Sequence, residues 1–155
     1  YPASKNSLVL LSPAPAEKNV ESSMIILDNL NEKYGFKDNA FVESKNLKVL
    51  KIVKEHGFRT LLWVENIKYW KRKEHKDSVY LAKMIRNQIK ELNPDAISCE
   101  YSMYPFLCDS FPEQNIHFWD TPKDFTPENV EFTKKLCNNK SVKVVLVDYP
   151  TPDIF

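Results

Sequence analysis

Glycine is almost missing from this sequence. Gly35 and Gly57 are the two glycines in 155 residues, against an average usage of about 7%. Phosphate loops built on closely spaced glycines are therefore excluded, because neither GxGxxG nor a P-loop can be written anywhere. Any phosphate would have to be held by helix N-termini, side chains or a metal. Cysteine is sparse as well: Cys99, Cys108 and Cys137 show no CxxC spacing. An odd count leaves one thiol over in a disulfide scaffold, so the expectation is three reduced, mostly buried cysteines. No apolar run approaches the roughly 18 residues of a membrane span. Neither sign of charge is in excess, with 22 basic and 21 acidic side chains and a formal net charge of +1. Composition thus gives no support to a nucleic-acid partner. An initiator Met is lacking, and the opening Tyr1-Pro2 reads as a processed or truncated chain. The compartment, extracytoplasmic or cytoplasmic, stays open.

What is present is a regular alternation. With 43% hydrophobic residues, the 155-residue chain has material for one domain with a proper core. Apolar runs of strand length lie at 7–11, 40–43, 60–64, 96–101, 116–119 and 142–147. Between them come helical patterns. The first, 17–34, carries Val20, Met24, Leu27 and Leu30/Asn31 at three-to-four-residue spacing and ends at Gly35, where a C′ glycine belongs. The second, 46–56, has Leu47, Leu50 and Val53 on one face and ends at Gly57. The third starts at Asp77 or Ser78 and runs to about 93, with Leu81, Ile85, Ile89 and Leu92 as its stripe. A short helix is expected over 104–111. The last is capped by Thr126, has Pro127 at its first position, and carries Val130, Lys134 and Cys137, with Phe132 and Leu136 alongside.

Most of these strands are continuous apolar runs rather than alternating ones. That pattern predicts a parallel sheet buried on both faces, with helices in right-handed crossovers, as a single α/β domain over 1–155. In such folds ligands sit at the carboxyl ends of the strands, in open sheets and barrels alike. The strand ends here offer Ser12, Glu43, Ser44, Glu65, Asn66, Glu100, Tyr101, Asp120, Thr121, Asp148 and Tyr149. Several carboxylates converging on one rim could bind a divalent metal or work as an acid–base pair. Taken singly, each reads as a helix cap or a water-facing group.

The tail Val147-Asp148-Tyr149-Pro150 resembles the end of the glycerophosphodiester phosphodiesterase family, whose last barrel strand finishes in Asp-x-Pro. Three other stretches agree. Ile116-His117-Phe118-Trp119-Asp120-Thr121 is similar to the family's penultimate strand. Phe41-Val42-Glu43-Ser44 sits where the family has a strand ending in Ser-Phe. Asp95-Ala96-Ile97-Ser98, followed by Tyr101 and a short helix, looks like its sixth strand. The resemblance implies strands three to eight of a TIM-type (β/α)₈ barrel, a partial barrel of about six strands. It implies a role in hydrolysing glycerophosphodiesters or phospholipid headgroups, hence in lipid metabolism.

The His-Arg motif, the acidic metal ligands and the second His of that family lie on the two strands without a counterpart here. Leu10-Leu11-Ser12-Pro13 also lacks the Glu and Lys of the third strand, and Ser141 or a neighbour replaces the glycine before the last. The resemblance therefore implies a degenerate active site, with catalytic residues outside this chain. Ser44, Trp63, Tyr101, Trp119 and Asp148 are its substrate-pocket candidates, and Glu43, Glu100 and Asp120 its weak metal candidates. No cofactor is expected on this chain alone; Ca or Mg would join a complete site.

Two further readings stand beside that one. A degenerate barrel could serve binding or assembly, self-associating through open sheet edges. Alternatively, the chain could be an unrelated open-sheet α/β enzyme with its site among Ser12, Ser44 and Asp148 at a switch point, recognisable by a reversal of strand order. The histidines add little. His56 beside Gly57 reads as a helix C-terminal cation, His75 as solvated, and His117 as packed within its strand; none is at zinc-ligand spacing. The basic run from Lys68 to Lys76, with Tyr69 and Trp70 inside it, reads as a solvated face.

Overall fold

In the computed structural model of the chain, residues 9–11, 17–66, 77–119 and 126–146 are described. Strands and helices alternate: β1 (Val9–Leu11), α1 (Val20–Tyr34), β2 (Ala40–Ser44), α2 (Leu47–Glu55), β3 (Arg59–Trp63), α3 (Ser78–Leu92), β4 (Ala96–Glu100), α4 (Phe106–Ser110), β5 (Ile116–Trp119), α5 (Pro127–Cys137) and β6 (Val142–Val145). The recorded strand pairings are parallel, so the fold is α/β, as the continuous apolar runs predict. Chain contacts divide it into two compact units, 1–63 with 87–95 and 64–86 with 96–155.

In the first unit the strands lie in the order β1-β2-β3. Its core joins Val20 and Met24 of α1, Ala40 and Val42 of β2, Val49 and Val53 of α2, and Phe58, with Leu27, Phe36 and Ile52 packed against them. Local chemistry sets the helix limits. Gly35 closes α1 with φ 65°, its N–H donating to the Asn31 carbonyl, and glycine enters this left-handed region without a Cβ penalty. Asn46 begins α2, its side chain accepting from the Lys48 and Val49 N–H groups. Asn93 takes φ 48° just after α3, where asparagine is the usual substitute for glycine. Lys54 donates to the Leu92 and Asn93 carbonyls at 3.0 and 2.6 Å, serving the orphan acceptors of that helix end. Asp95 accepts from both the Thr60 N–H (2.8 Å) and the Thr60 hydroxyl (3.0 Å), which ties the turn after α3 to the start of β3.

In the second unit the order is β4-β5-β6. Leu81 and Ile85 of α3, Ile97 and Cys99 of β4, Leu107 of α4, Ile116 and Phe118 of β5 and Leu136 of α5 are buried. Thr126 caps α5 by accepting from the Asn129 N–H, with Pro127 in the first turn, as expected. The register between β5 and β6 slips after Ile116, pairing Ile116 with Val142 and His117 with Val144; one extra residue, Lys143, is accommodated there as a bulge. Within each unit the chain order is the spatial order. That is the order of a barrel wall.

The expected short helix within 104–111 is present as α4, and a 3₁₀ turn at Tyr101–Met103 precedes it. Several sequence expectations need correction. The buried face of α5 is Thr133 and Leu136, while Lys134 and Cys137 are exposed. Thr133 satisfies its hydroxyl on the Asn129 carbonyl at 2.9 Å, which is how a polar residue takes the inward position. Leu30 of α1 is exposed rather than on the buried stripe, and Ile89 is half-buried. Cys99 and Cys108 are buried free thiols as expected, but the free thiol Cys137 is exposed.

His56 occupies the C-cap of α2, and its electrostatic partner is a side chain. Its Nδ1 lies 2.6 Å from Asp28 Oδ2 on α1, with Glu21 Oε2 at 3.6 Å from Nε2. Lys37 Nζ donates at 2.8 Å to Asp28 Oδ1 and at 2.8 Å to the His56 carbonyl. Hydrogen bonds from Lys37 and His56 hold the Asp28 carboxyl below its ordinary value, and the bond to Asp28 raises His56 above its own. A base with a raised folded pKa contributes stability that is full below its unfolded pKa and lost as pH rises through the folded one. The depressed acid contributes above its unfolded pKa and loses its share as pH falls. The network is therefore strongest between the ordinary values of 3.8 for Asp28 and 6.5 for His56. His56→Gln should cost up to about 1 kcal/mol at about pH 6. In paired urea titrations the gap to the native chain should narrow by about pH 8.5; a gap that stays constant would show that His56 acts without its charge.

Candidate functional site

Strand alternation gives each unit a helix-facing side and an opposite side. In β2, Ala40 and Val42 meet the helices, so Phe41 and Glu43 point the other way. Both are buried, Glu43 at 8% exposure. The pairing of Phe41 with Arg59 and Glu43 with Leu61 puts Arg59, Leu61 and Trp63 on that same opposite side. Arg59 lays its guanidinium 4.1 Å over the Phe41 ring, and Lys45 Nζ lies 5.4 Å from the centre of the Trp63 ring. The carboxyl ends of β2 and β3 thus carry a carboxylate, an ammonium and an indole on one side of the first unit.

The second unit repeats the division. Phe118 packs edge-on against Tyr104 (centroids 6.0 Å apart), and Tyr104 against Phe132 of α5 (5.9 Å), so Phe118, with its register partner Cys99, faces the helices. The other parity holds Ser98 opposite His117 and Glu100 opposite Trp119. This side is polar although much of it is buried: Ser98 has 0% and His117 6% exposure. Buried polar groups on parallel strands need partners, and such clusters mark candidate sites. The segment after β3 runs beside it, the Val64 N–H donating to the Ser98 carbonyl at 2.8 Å. Two residues on, the Asn66 amide donates to Glu100 Oε2 and to the Ser102 hydroxyl at 3.0 Å. Asn66, Glu100, His117 and Trp119 therefore form a polar and aromatic group at the strand ends of this unit.

The sequence candidates are spread over these positions. Trp63 and Glu43 share the polar side of the first unit, and Trp119 and Glu100 that of the second. Ser44 instead accepts from the Asn46 N–H at 3.1 Å and braces the cap of α2. Tyr101 packs edge-on against Phe132 at 5.7 Å, with the helix-side aromatics. Asp120 and Asp148, and the tail that carries the family resemblance, lie outside the described residues, as do Ser12 and His75. Sequence reading placed Asn66 at a strand end without a role; His117 is packed within its strand as expected, and its spacing with Trp119, at i and i+2, puts both on one side.

Two chemistries are narrowed by these positions. Burial pushes the Cys108 thiol up to about 11, raises Cys99 well above its ordinary value, and raises Cys137 as well. A nucleophilic cysteine needs the opposite shift. Among the described residues, no three His, Cys, Asp or Glu side chains gather into a group that could hold a metal ion. Glu43 and Glu100 thus do not fit a complete metal site by themselves. No helix among the described residues is long and apolar enough to cross a membrane.

No protein-family model matches the chain, and no curated protein matches it by sequence. Among solved structures it is similar to a protein of Silicibacter pomeroyi assigned as a glycerophosphoryl diester phosphodiesterase. The TM-score is 0.62 and the identity 11%, over 92% of this chain and 46% of that one. At that identity the likeness is one of fold. The chain spans less than half the length of the protein it matches. A second match is to a glycerol uptake operon antiterminator regulatory protein of Listeria monocytogenes, with a TM-score of 0.48 and 12% identity over 98% of this chain and 97% of that one.

The Asn66–Glu100 contact gives a direct test of this geometry. Asn66→Asp replaces a donor with a second carboxylate against Glu100, at a cost of about 1–3 kcal/mol near neutral pH. Like-charge repulsion raises the folded pKa of the pair, so the penalty is full above that pKa and fades once acidification protonates them. Chemical denaturation at neutral and acid pH measures it. An equal loss at both would place Asn66 away from Glu100.

Proposed function

We propose that this chain is the C-terminal, substrate-facing portion of a phosphodiesterase-like barrel that binds a glycerophosphodiester or phospholipid headgroup. Residues 1–155 act in it as one α/β domain. The observation that carries the reading is an agreement between independent lines. The strand endings up to Asp148-Tyr149-Pro150 resemble that family, and the fold likeness to a protein so assigned extends over 92% of this chain.

Each group has a definite task on this reading. Trp119 offers an apolar ring to the glycerol or headgroup carbons. The His117 imidazole is the donor suited to a phosphoryl oxygen, while both Asn66 amide hydrogens are engaged by Glu100 and Ser102 and fix the Glu100 carboxylate. The resemblance adds Ser44 and Asp148 as candidates, whereas the Tyr101 ring packs against Phe132 on the helix side. Glu43, Glu100 and Asp120 are anions and would repel a phosphodiester unless a divalent cation lay between. No step is routed through such a cation here, since the described carboxylates do not make a site for one. The acid–base groups for hydrolysis are expected outside this chain, which leaves binding as its own contribution.

Isothermal titration of the purified chain with glycerophosphocholine should show weak binding, with Kd on the order of millimolar for so few polar contacts. Trp119→Ala should weaken it about tenfold, the loss of one stacked ring. Release of choline and glycerol phosphate from glycerophosphocholine, with added Ca or Mg, should stay at background. Hydrolysis by this chain alone would refute the missing catalytic centre, and absence of binding would remove the phosphodiester assignment itself.

A further inference from the structure

Glu100, at the carboxyl end of β4, is a half-buried carboxylate without a countercharge. Among the described residues no lysine, arginine or histidine pairs with it. Its hydrogen bond comes from a neutral group, the Asn66 amide, at Oε2. Asn66 also donates to the Ser102 hydroxyl at 3.0 Å, so the carboxylate is fixed through one oxygen. Among the described residues the other oxygen, Oε1, accepts no hydrogen bond. Asp28, a half-buried carboxylate of the first unit, is by contrast matched by both Lys37 and His56. An anion drawn partly out of water and left without a cation is costly. Beside Glu100 stands Trp119, its register partner on β5, also half-buried. Both point to the polar side of the second unit, on strands about 4.8 Å apart, so the carboxylate and the indole are neighbours.

We propose that Glu100 and Trp119 form a subsite for an organic ammonium ion, the cationic end of a headgroup such as choline. A carboxylate beside an indole attracts a cation that carries apolar surface, because the ring face takes the methyl groups while the anion answers the charge. A compact, strongly hydrated ammonium of the lysine type gains less from the ring. A metal ion does not suit the position, since among the described residues no group of His, Cys, Asp and Glu side chains that could hold one gathers. A sugar suits it less well too. Its paired hydroxyls call for both carboxylate oxygens, and Asn66 holds one of them. This subsite deepens the binding role above and rests on it for the phosphate end of the ligand, not for the cation. Glu100, which would repel a phosphodiester, then sets the ligand's direction, with the cation towards the end of β4 and the phosphate away from it. Headgroups with a quaternary ammonium are selected over uncharged ones.

The indole N–H resonance of Trp119, assigned with Trp119→Phe, reads binding in the isotope-labelled full chain. The probes are choline, its uncharged carbon isostere dimethylbutanol, glycerol phosphate and methyl glucoside. Choline should shift the resonance with Kd on the order of 10 mM, and the isostere should bind at least about tenfold more weakly. Glu100→Gln keeps an acceptor for Asn66 and removes the charge. Choline should bind it about fivefold more weakly, with unchanged thermal unfolding. Should that variant fail to fold, the comparison of choline with its isostere on the native chain decides alone. Glycerol phosphate separates the two readings. Choline binding without glycerol phosphate binding keeps the ammonium subsite and counts against the phosphodiester role, and the reverse removes the subsite alone. No shift with choline, equal binding of choline and the isostere, indifference to Glu100→Gln in a folded chain, or a glucoside acting where choline does not would each overturn the proposal.

Discussion

Strands β2, β3 and β4 have no side for water, and much of the architecture follows from that. From Ala40 to Glu43 in β2, Thr60 to Leu62 in β3 and Ala96 to Cys99 in β4, successive residues are buried although their side chains alternate between faces. One face is covered by the unit's own helices, through Val42 against Val49 and Val53, or Phe118 against the tyrosine and phenylalanine beside α5. The other face must then be covered too, and it is there that the polar residues collect. A carboxylate such as Glu43 is tolerated in that position only with partners, because an unpaired buried charge costs several kcal/mol. Chemistry in this fold is thus confined by burial to one parity of the strands and to their ends.

Where local physics dictates an element, it could be read directly. The cap at Thr126, the glycine after α1 and the stripe of Leu81, Ile85 and Leu92 all follow from side-chain chemistry within a few residues of each other, and all are present. What could not be read is long-range. Asp28 and His56 are 28 residues apart and Asn66 and Glu100 34 apart, and no periodicity links them. The exposure of Cys137, expected among the mostly buried cysteines, has a related reason. A rule that sorts by hydrophobicity puts Cys137 inside and Thr133 out, yet Thr133 meets its hydrogen-bonding need on the helix's own backbone and is free to be buried. Tyr101 was taken for a pocket residue because it follows a strand, but its ring found Phe132 of α5.

The resemblance to a phosphodiesterase family and the fold likeness bear on different things. The likeness, at 11% identity, speaks to the backbone path; fold hosts many activities, and function resides in the side chains set upon it. The resemblance speaks to side chains, but to the ends of strands rather than to acid–base groups. With two glycines, backbone nests for a phosphate are scarce.

The two ends of the first unit's strands also divide their labour. At the amino ends, Lys37, Asp28 and His56 join α1, the turn before β2 and the end of α2 in one charged network. At the carboxyl ends Glu43, Lys45 and Trp63 stand on the side away from the helices. Charge satisfied by neighbouring charge stabilises a scaffold and offers little to a ligand. An indole beneath an exchangeable ammonium keeps an apolar face that a ligand can compete for. A binding surface at the carboxyl ends therefore agrees with the pairing pattern itself, independently of which family the tail resembles.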